Sequence, residues 1–337
     1  VTSLSLTAGT ATSIGSLPHV EPADAAAFVL ARHPELPAAP ELPRRSPLEG
    51  MIARAGRGVP GVTVRDDGTL TVEPALVAQA LADGIPTAAA PTIAEGAGLL
   101  CFLDRVAGRS GPVKLQLTGP VTLGIALVRA GLAPGPAFAT AAATVRARGR
   151  AILDELTRRA PLAPAVVFFD EPGLTCCEHP GFPLARAAVT DMLGGVLADV
   201  GATVSGVHCC GPTDWQAVVD AGTDIISLPV ALTPGVDTRA LSQLLARGGW
   251  VAWGAVPTDG PLGDDASVLW RRLLGAWCEL ARGGCDPGLL RARALVTPAC
   301  GLAGHGVSQA DLVLRLTREL GERLRVQSMG PGLSAQA

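Results

Sequence analysis

Two short segments, far apart in the chain, carry the residues best suited to chemistry: Val207-His208-Cys209-Cys210-Gly211 and Thr297-Pro298-Ala299-Cys300-Gly301-Leu302. Each follows a short apolar, strand-like run, so one imidazole and two thiols are offered in the order H-x-C…C. These borderline-soft ligands suit zinc, and three protein ligands leave room for a substrate on the metal. A thiol entering that open position would ionise at neutral pH, which points to S-alkyl transfer more than to hydrolysis. In an extended chain residues i and i+2 share a face, so His208 and Cys210 can reach one ion while Cys209 turns away. Taken alone, H-x-C also fits a buried histidine beside core thiols; Cys300 at a second strand end is what favours a metal.

Other polar groups stand close to strand-like runs. Asp170-Glu171-Pro172 follows the apolar Val166-Val167-Phe168-Phe169. A carboxylate pair just past a buried strand is costly unless bound to something. Asp170 is therefore expected to receive a substrate ammonium group, a helix cap or structural ion pair being the alternative. Cys176-Cys177-Glu178-His179 is a second soft-ligand cluster. It could supply a further zinc ligand or a resolving thiol, or be an exposed loop with incidental cysteines. Arg44-Arg45 reads as an anion site or as a solvated pair, and Cys101, Cys278 and Cys285 as small buried hydrophobes.

The elements that must position these groups alternate along the whole chain. Strands are expected at Thr12–Ser16, Ala38–Leu42, Val113–Thr118, Ala165–Asp170, Thr203–His208, Asp224–Leu228, Trp250–Ala255 and Leu295–Pro298. Amphipathic helices are expected at Pro136–Ala160, Pro183–Val200, Thr213–Ala221, Thr238–Arg247, Ala266–Arg282 and Ser308–Val326, the last with Ser308 as its N-cap. Eight strands separated by helices predict an α/β fold, a closed (β/α)₈ TIM barrel, as one domain over residues 1–337. The open doubly wound sheet is the alternative, and no G-x-G-x-x-G or P-loop supports it. In a barrel the catalytic groups gather at the carboxyl ends of strands, where Ser16, Glu41, Thr118, Asp170, His208, Cys210, Ser227, Asp259 and Cys300 fall.

Composition narrows the partners. The 337 residues carry a formal charge of −3 and only 3% aromatics, with no tyrosine. There is no basic field for nucleic acid or an anionic membrane and little aromatic surface for base stacking. No apolar run is long enough to span a membrane and no segment has a signal-peptide layout, so a cytoplasmic protein with eight reduced cysteines is expected.

Taken together, Ile14-Gly15-Ser16-Leu17-Pro18, Leu117-Thr118-Gly119-Pro120-Val121-Thr122-Leu123, Asp170-Glu171-Pro172, His208-Cys209-Cys210 and Cys300-Gly301-Leu302 follow one another in a familiar order. The chain resembles the C-terminal catalytic half of cobalamin-independent methionine synthase, within the uroporphyrinogen decarboxylase/methionine synthase type of barrel. The resemblance spans nearly the whole chain. It implies zinc held by His208, Cys210 and Cys300, a substrate carboxylate met by Ile14 and Ser16, and an amino group held by Asp170 and Glu41. It also implies homocysteine, or a related small thiol, as methyl acceptor and methionine as product. A decarboxylase of the porphyrinogen type would need basic residues to grip many carboxylates, and few arginines stand at the strand ends.

Three departures shape the expectation. Pro229 stands where the family has a glutamate as fourth zinc ligand, leaving three protein ligands or a substitute among Cys176, Cys177, Cys209 and Asp224. The proton-donating histidine of the family falls near Asp259, which makes Asp259 the candidate for that catalytic role. The tryptophan that helps hold folate has no counterpart in Gly124-Ile125-Ala126-Leu127, and the half that contributes folate contacts is absent from the sequence. A methylcobamide on a corrinoid protein, or a small methylated thiol or sulfonium, therefore fits better as donor than a folate. Alkyl transfer to another small thiol, and a metal- or corrinoid-binding barrel without this activity, are the alternatives.

Overall fold

The computed structural model describes residues 4, 6–84, 93–201, 204–260 and 262–329; the expected strand start at Thr203 lies outside them. The helices Pro22–Arg32 and Met51–Gly56 are followed by a two-stranded antiparallel ribbon, β1 (Val62–Val64) and β2 (Leu70–Val72). The main sheet follows: β3 (Val113–Thr118), β4 (Ala165–Asp170), β5 (Val204–His208), β6 (Ile225–Pro229), β7 (Trp250–Val256) and β8 (Ala294–Pro298). These six strands are parallel and lie side by side in chain order. Helices at 134–159, 186–200, 215–220, 238–246 and 266–282 connect successive strands, and the helix Val307–Met329 follows β8. Asp214, Asp237, Asp265 and Asp286 cap the helices that follow them by accepting a backbone N–H of the first turn. Ser308, expected as a cap, lies within the first turn of its helix. Among the described residues no helix is long and apolar enough to cross a membrane.

The closed eight-stranded TIM barrel expected from the sequence is not what forms. The sheet is a six-stranded half-barrel, and the segments Thr12–Ser16 and Ala38–Leu42 are not strands. Parallel bridges hold them at isolated points: Ala11 to Val296, Ser16 to Glu41 and Ala38 to Lys114. The reason is local. Pro37, Pro40 and Pro43 lack the N–H groups a ladder requires, and Gly15 turns the first segment with φ +143°. A Cβ at Gly15 would meet Gln116 Nε2 at 2.3 Å, so the turn admits no larger residue.

Side chains of β3 take over part of the missing ladder. Lys114, Gln116 and Thr118 alternate with Val113, Leu115 and Leu117 and share one face. Lys114 Nζ donates to Ile14 O at 2.6 Å, Gln116 Nε2 to Ala39 O at 2.6 Å, and Thr118 Oγ1 to Met51 O at 2.9 Å.

The two faces of the sheet bury different cores. The outer face packs against the helices in one large apolar cluster that includes Leu115, Val167, Phe169, Val207, Leu228 and Trp253. The concave face holds a small second cluster of Leu36, Val166, Phe168, Ile225, Ala252 and Leu295. Phe168 reaches across β5 because Gly206 opposes it; a Cβ there would lie 2.7–2.9 Å from the ring. Gly206→Ala is therefore expected to overpack the concave core by about 1–3 kcal/mol. Thermal unfolding should show the midpoint several degrees lower.

Candidate metal and thiol site

Register builds the site. Thr118 is paired with Asp170, Asp170 with His208, and His208 with Ser227, so four adjacent strands place one polar row at the carboxyl end of the concave face. In open parallel sheets this is where ligands bind. His208 is 4% exposed, and its Nδ1 shares a hydrogen bond of 2.9 Å with Ser227 Oγ. Its Nε2 is buried without a partner. With the Nδ1 proton donated to Ser227, Nε2 presents a lone pair to whatever enters.

Cys210 and Cys300 come to that nitrogen from two loops. Among the described residues, the ligand atoms of His208, Cys210 and Cys300 lie within 4.8 Å of one another. Cys210 leaves β5 just past Cys209, whose N–H donates to Ser227 O at 3.1 Å. The Cys300 loop is fastened at both ends: Ala299 N donates to Val256 O at 2.9 Å and Leu302 N to Ser16 O at 2.8 Å. Two glycines make room for it. A Cβ on Gly254 would meet Ala299 Cα at 2.8 Å, and one on Gly301 would meet Ser16 Oγ at 2.0 Å.

The two thiols shift each other's ionisation in opposite directions. The Cys300 thiol donating to Cys210 brings the Cys210 pKa down to about 7, against burial. The same interaction pushes Cys300 up to about 12, which the nearby His208 only partly offsets. The first thiolate thus forms near neutrality, while the second proton leaves readily only if another cation replaces it. One nitrogen and two sulfurs, converging beside an unpartnered buried nitrogen, form a donor set that could hold a tetrahedral metal ion.

None of the substitutes considered for a fourth ligand joins this group. Asp224 lies at the opposite end of β6, where it accepts hydrogen bonds from Ser205 N at 2.8 Å and Ser205 Oγ at 3.1 Å. Cys209 belongs to the outer core, as expected from its parity, and Cys177 packs against that core. Burial pushes Cys177 up to about 12 and Cys209 up to about 11, which leaves both as inert thiols. His179 Nδ1 accepts from Gly181 N at 3.1 Å within its own loop. Pro229, paired with Gly254, offers no ligand atom.

The remaining candidate residues divide. Asp170 is 4% exposed with Oδ1 unpartnered, so it faces the site ready to accept hydrogen bonds. Burial pushes its pKa up to about 6, chiefly opposed by Lys114 and then His208, so it is ionised at neutral pH. Glu171 points the other way and caps the helix Pro120–Arg129, accepting from Val121 N and Thr122 N at 2.8 Å each and Thr122 Oγ1 at 2.5 Å. Ser16 sits beside Gly301, next to Cys300, while Ile14 gives its carbonyl to Lys114. Glu41 is engaged by Arg54 at 2.6 Å. Asp259 is exposed on the bend after β7 and makes no hydrogen bond or ion pair among the described residues. Arg44 and Arg45 tie loops, to His305 O at 2.9 Å and Glu49 Oε1 at 2.5 Å. Cys285 is buried as expected, whereas Cys278 is exposed.

Sequence reasoning missed Lys114, which is 1% exposed and lies beneath the polar row with Nζ 4.7 Å from the Phe168 ring centre. The signal was there: polar residues at 114, 116 and 118 on one face of a strand buried on both sides.

The lowered Cys210 pKa predicts a pH profile. In metal-free protein, alkylation of Cys210 by iodoacetamide should rise through a midpoint near pH 7, because the thiolate forms as the pH passes its pKa. Cys300→Ala removes the donor and should shift that midpoint upward, as read by mass spectrometry of the modified peptide.

Comparison with known proteins gives a likeness of fold. No protein-family model matches the chain, and no curated protein matches it. Among solved structures it is similar to a methyltransferase from Methanosarcina mazei, with a TM-score of 0.56 over 96% of this chain and 94% of that one. Sequence identity is 15%, so what the two share is the arrangement of the chain.

Proposed function

We propose that this protein is a methyltransferase that moves a methyl group to the thiol of homocysteine, or a related small thiol, at a zinc ion held by His208, Cys210 and Cys300. One observation carries the reading: the three donors, expected from the sequence, converge within 4.8 Å at the carboxyl end of the sheet. The fold likeness to a methyltransferase supports it. Zinc at this site would act as a Lewis acid that keeps an entering thiol in its thiolate form.

The chain's own residues supply the rest. Ser227 fixes the His208 ring so that Nε2 faces the site. Asp170, ionised and with a free oxygen, accepts the ammonium of an amino-acid thiol, and the Ile14–Ser16 turn borders its carboxylate. Held in this way, the sulfur is oriented for in-line attack. The new S–C bond forms as the donor's methyl bond breaks, the electron pair stays on the donor, and the thiol proton leaves to solvent. A methyl group leaving a corrinoid cobalt needs no acid. That suits a rim where the proton-donor position holds only the exposed Asp259, so a methylcobamide on a corrinoid protein is the donor we favour.

A second reading, transfer to a thiol without an amino group, rests on the capture of Glu41 by Arg54, which leaves Asp170 as the sole carboxylate of the clamp. Asp170→Asn separates the two. It should raise KM for homocysteine about tenfold, the loss expected for one charge-assisted hydrogen bond, while leaving 2-mercaptoethanol nearly unaffected. An equal effect on both thiols would favour the second reading.

The metal is tested directly. Purified protein is expected to hold zinc in a 1:1 ratio to chain, and His208→Ala, Cys210→Ala and Cys300→Ala to lose it. Ser227→Ala should weaken binding about 10- to 100-fold through the loosened imidazole. Absence of zinc, together with unchanged thiol methylation in Cys300→Ala, would overturn the proposal.

A further inference from the structure

Of the 27 basic residues in this chain, Lys114 is the only lysine, and it is 1% exposed. Its ammonium donates to Ile14 O at 2.6 Å, lies 3.4 Å from Gln116 Oε1, and sits over the Phe168 ring at 4.7 Å. A buried cation is costly unless its donors are met, and here a carbonyl, an amide oxygen and an aromatic face surround it. A planar guanidinium with five donors would not match this compact set of partners. The carbonyl it holds belongs to Ile14, next to Gly15 with its φ of +143° and two residues before Ser16. That turn is otherwise tied by Glu41 N to Gly15 O at 3.0 Å and Leu17 N to Glu41 O at 2.9 Å.

We propose that Lys114 is a positioning residue for the acceptor's amino-acid end: by holding Ile14 O it sets the Ile14–Gly15–Ser16 turn against Asp170, and so selects thiols that carry an amino-acid group. The inference rests on the homocysteine reading above. Burial brings the Lys114 pKa down to about 8, with Asp170 and Glu41 holding it up, so the group is an ammonium at neutral pH. The thiol end keeps anchors that do not pass through Lys114: Cys210 leaves β5 directly, and Ala299 N is fixed to Val256 O at 2.9 Å.

The test compares two thiols on cobalt-substituted full-length protein, using the thiolate-to-cobalt absorption as readout. Lys114→Met should weaken homocysteine binding about tenfold or more, the loss expected for one charged hydrogen bond, and leave 2-mercaptoethanol within about twofold. A purely structural lysine would weaken both alike, and that result overturns the proposal. Hydrogen exchange supplies a ligand-free arm: the Leu17 and Glu41 amides should exchange about tenfold faster in Lys114→Met, and unchanged exchange overturns the positioning role. If Lys114→Met fails to fold, wild-type protein labelled with ¹⁵Nζ-lysine gives one side-chain signal. It should exchange slowly with water and shift with homocysteine but not with 2-mercaptoethanol; rapid exchange, or indifference to homocysteine while it binds, overturns the proposal. Should neither thiol bind wild-type protein, the functional reading fails, and the hold on the turn is judged by exchange alone.

Discussion

Six parallel strands leave β3 and β8 as edges, and the chain that must border them is broken by proline and glycine. Backbone pairing there occurs only at isolated points. These few backbone bonds are joined by the polar inner row of β3, where Lys114, Gln116 and Thr118 each donate to a backbone carbonyl. Buried carbonyls need partners, and side chains supply them where a ladder cannot. The candidate site depends on this arrangement. Ile14 is held by Lys114, Ser16 follows two residues later, and the Ser16 carbonyl receives the N–H of Leu302 that fixes the Cys300 loop. The turn thus borders one end of the Cys300 loop, whose other end is anchored on β7 through Ala299 N to Val256 O.

The concave face divides along the strand direction. Its interior is apolar, built on Phe168 and its neighbours, and its carboxyl end is a row of polar groups with unsatisfied atoms. Placing Asp170 and Lys114 there costs several kcal/mol of desolvation for each ion, which favourable packing alone would not justify. Adjacent residues on a strand face opposite ways, so the Asp170-Glu171 pair splits its duties. Asp170 turns to the site and Glu171 to the start of a helix, where the dipole and two N–H groups receive it.

Sulfur chemistry is sorted by the same parity and by burial. Cys209 and Cys177 lie against the outer core, where desolvation keeps them protonated. Cys210 and Cys300 come together at the open end, where each shifts the ionisation of the other. Four thiols close in sequence or space therefore differ in reactivity because of where the sheet turns them.

Much of this was readable in the chain. Apolar runs located β3 and β4 to the residue, and the i, i+2 rule joined His208 to Cys210 and excluded Cys209, since both depend on local periodicity alone. Other features depend on distant partners. Pro40 inside Ala38–Leu42 is a local warning, but whether the sheet closes is decided by all its neighbours, and it stays a six-stranded half-barrel. Glu41 looked like a free carboxylate until Arg54 was placed beside it, and Asp224 looked like a ligand until its end of the strand was known. Lys114 gave only a parity signal, because its role lies with Ile14, 100 positions earlier in the chain. The sequence by itself determined which donors exist and which way each strand turns them. Only the tertiary structure decided which of them meet, because convergence and burial are set by chain segments that the local code does not join.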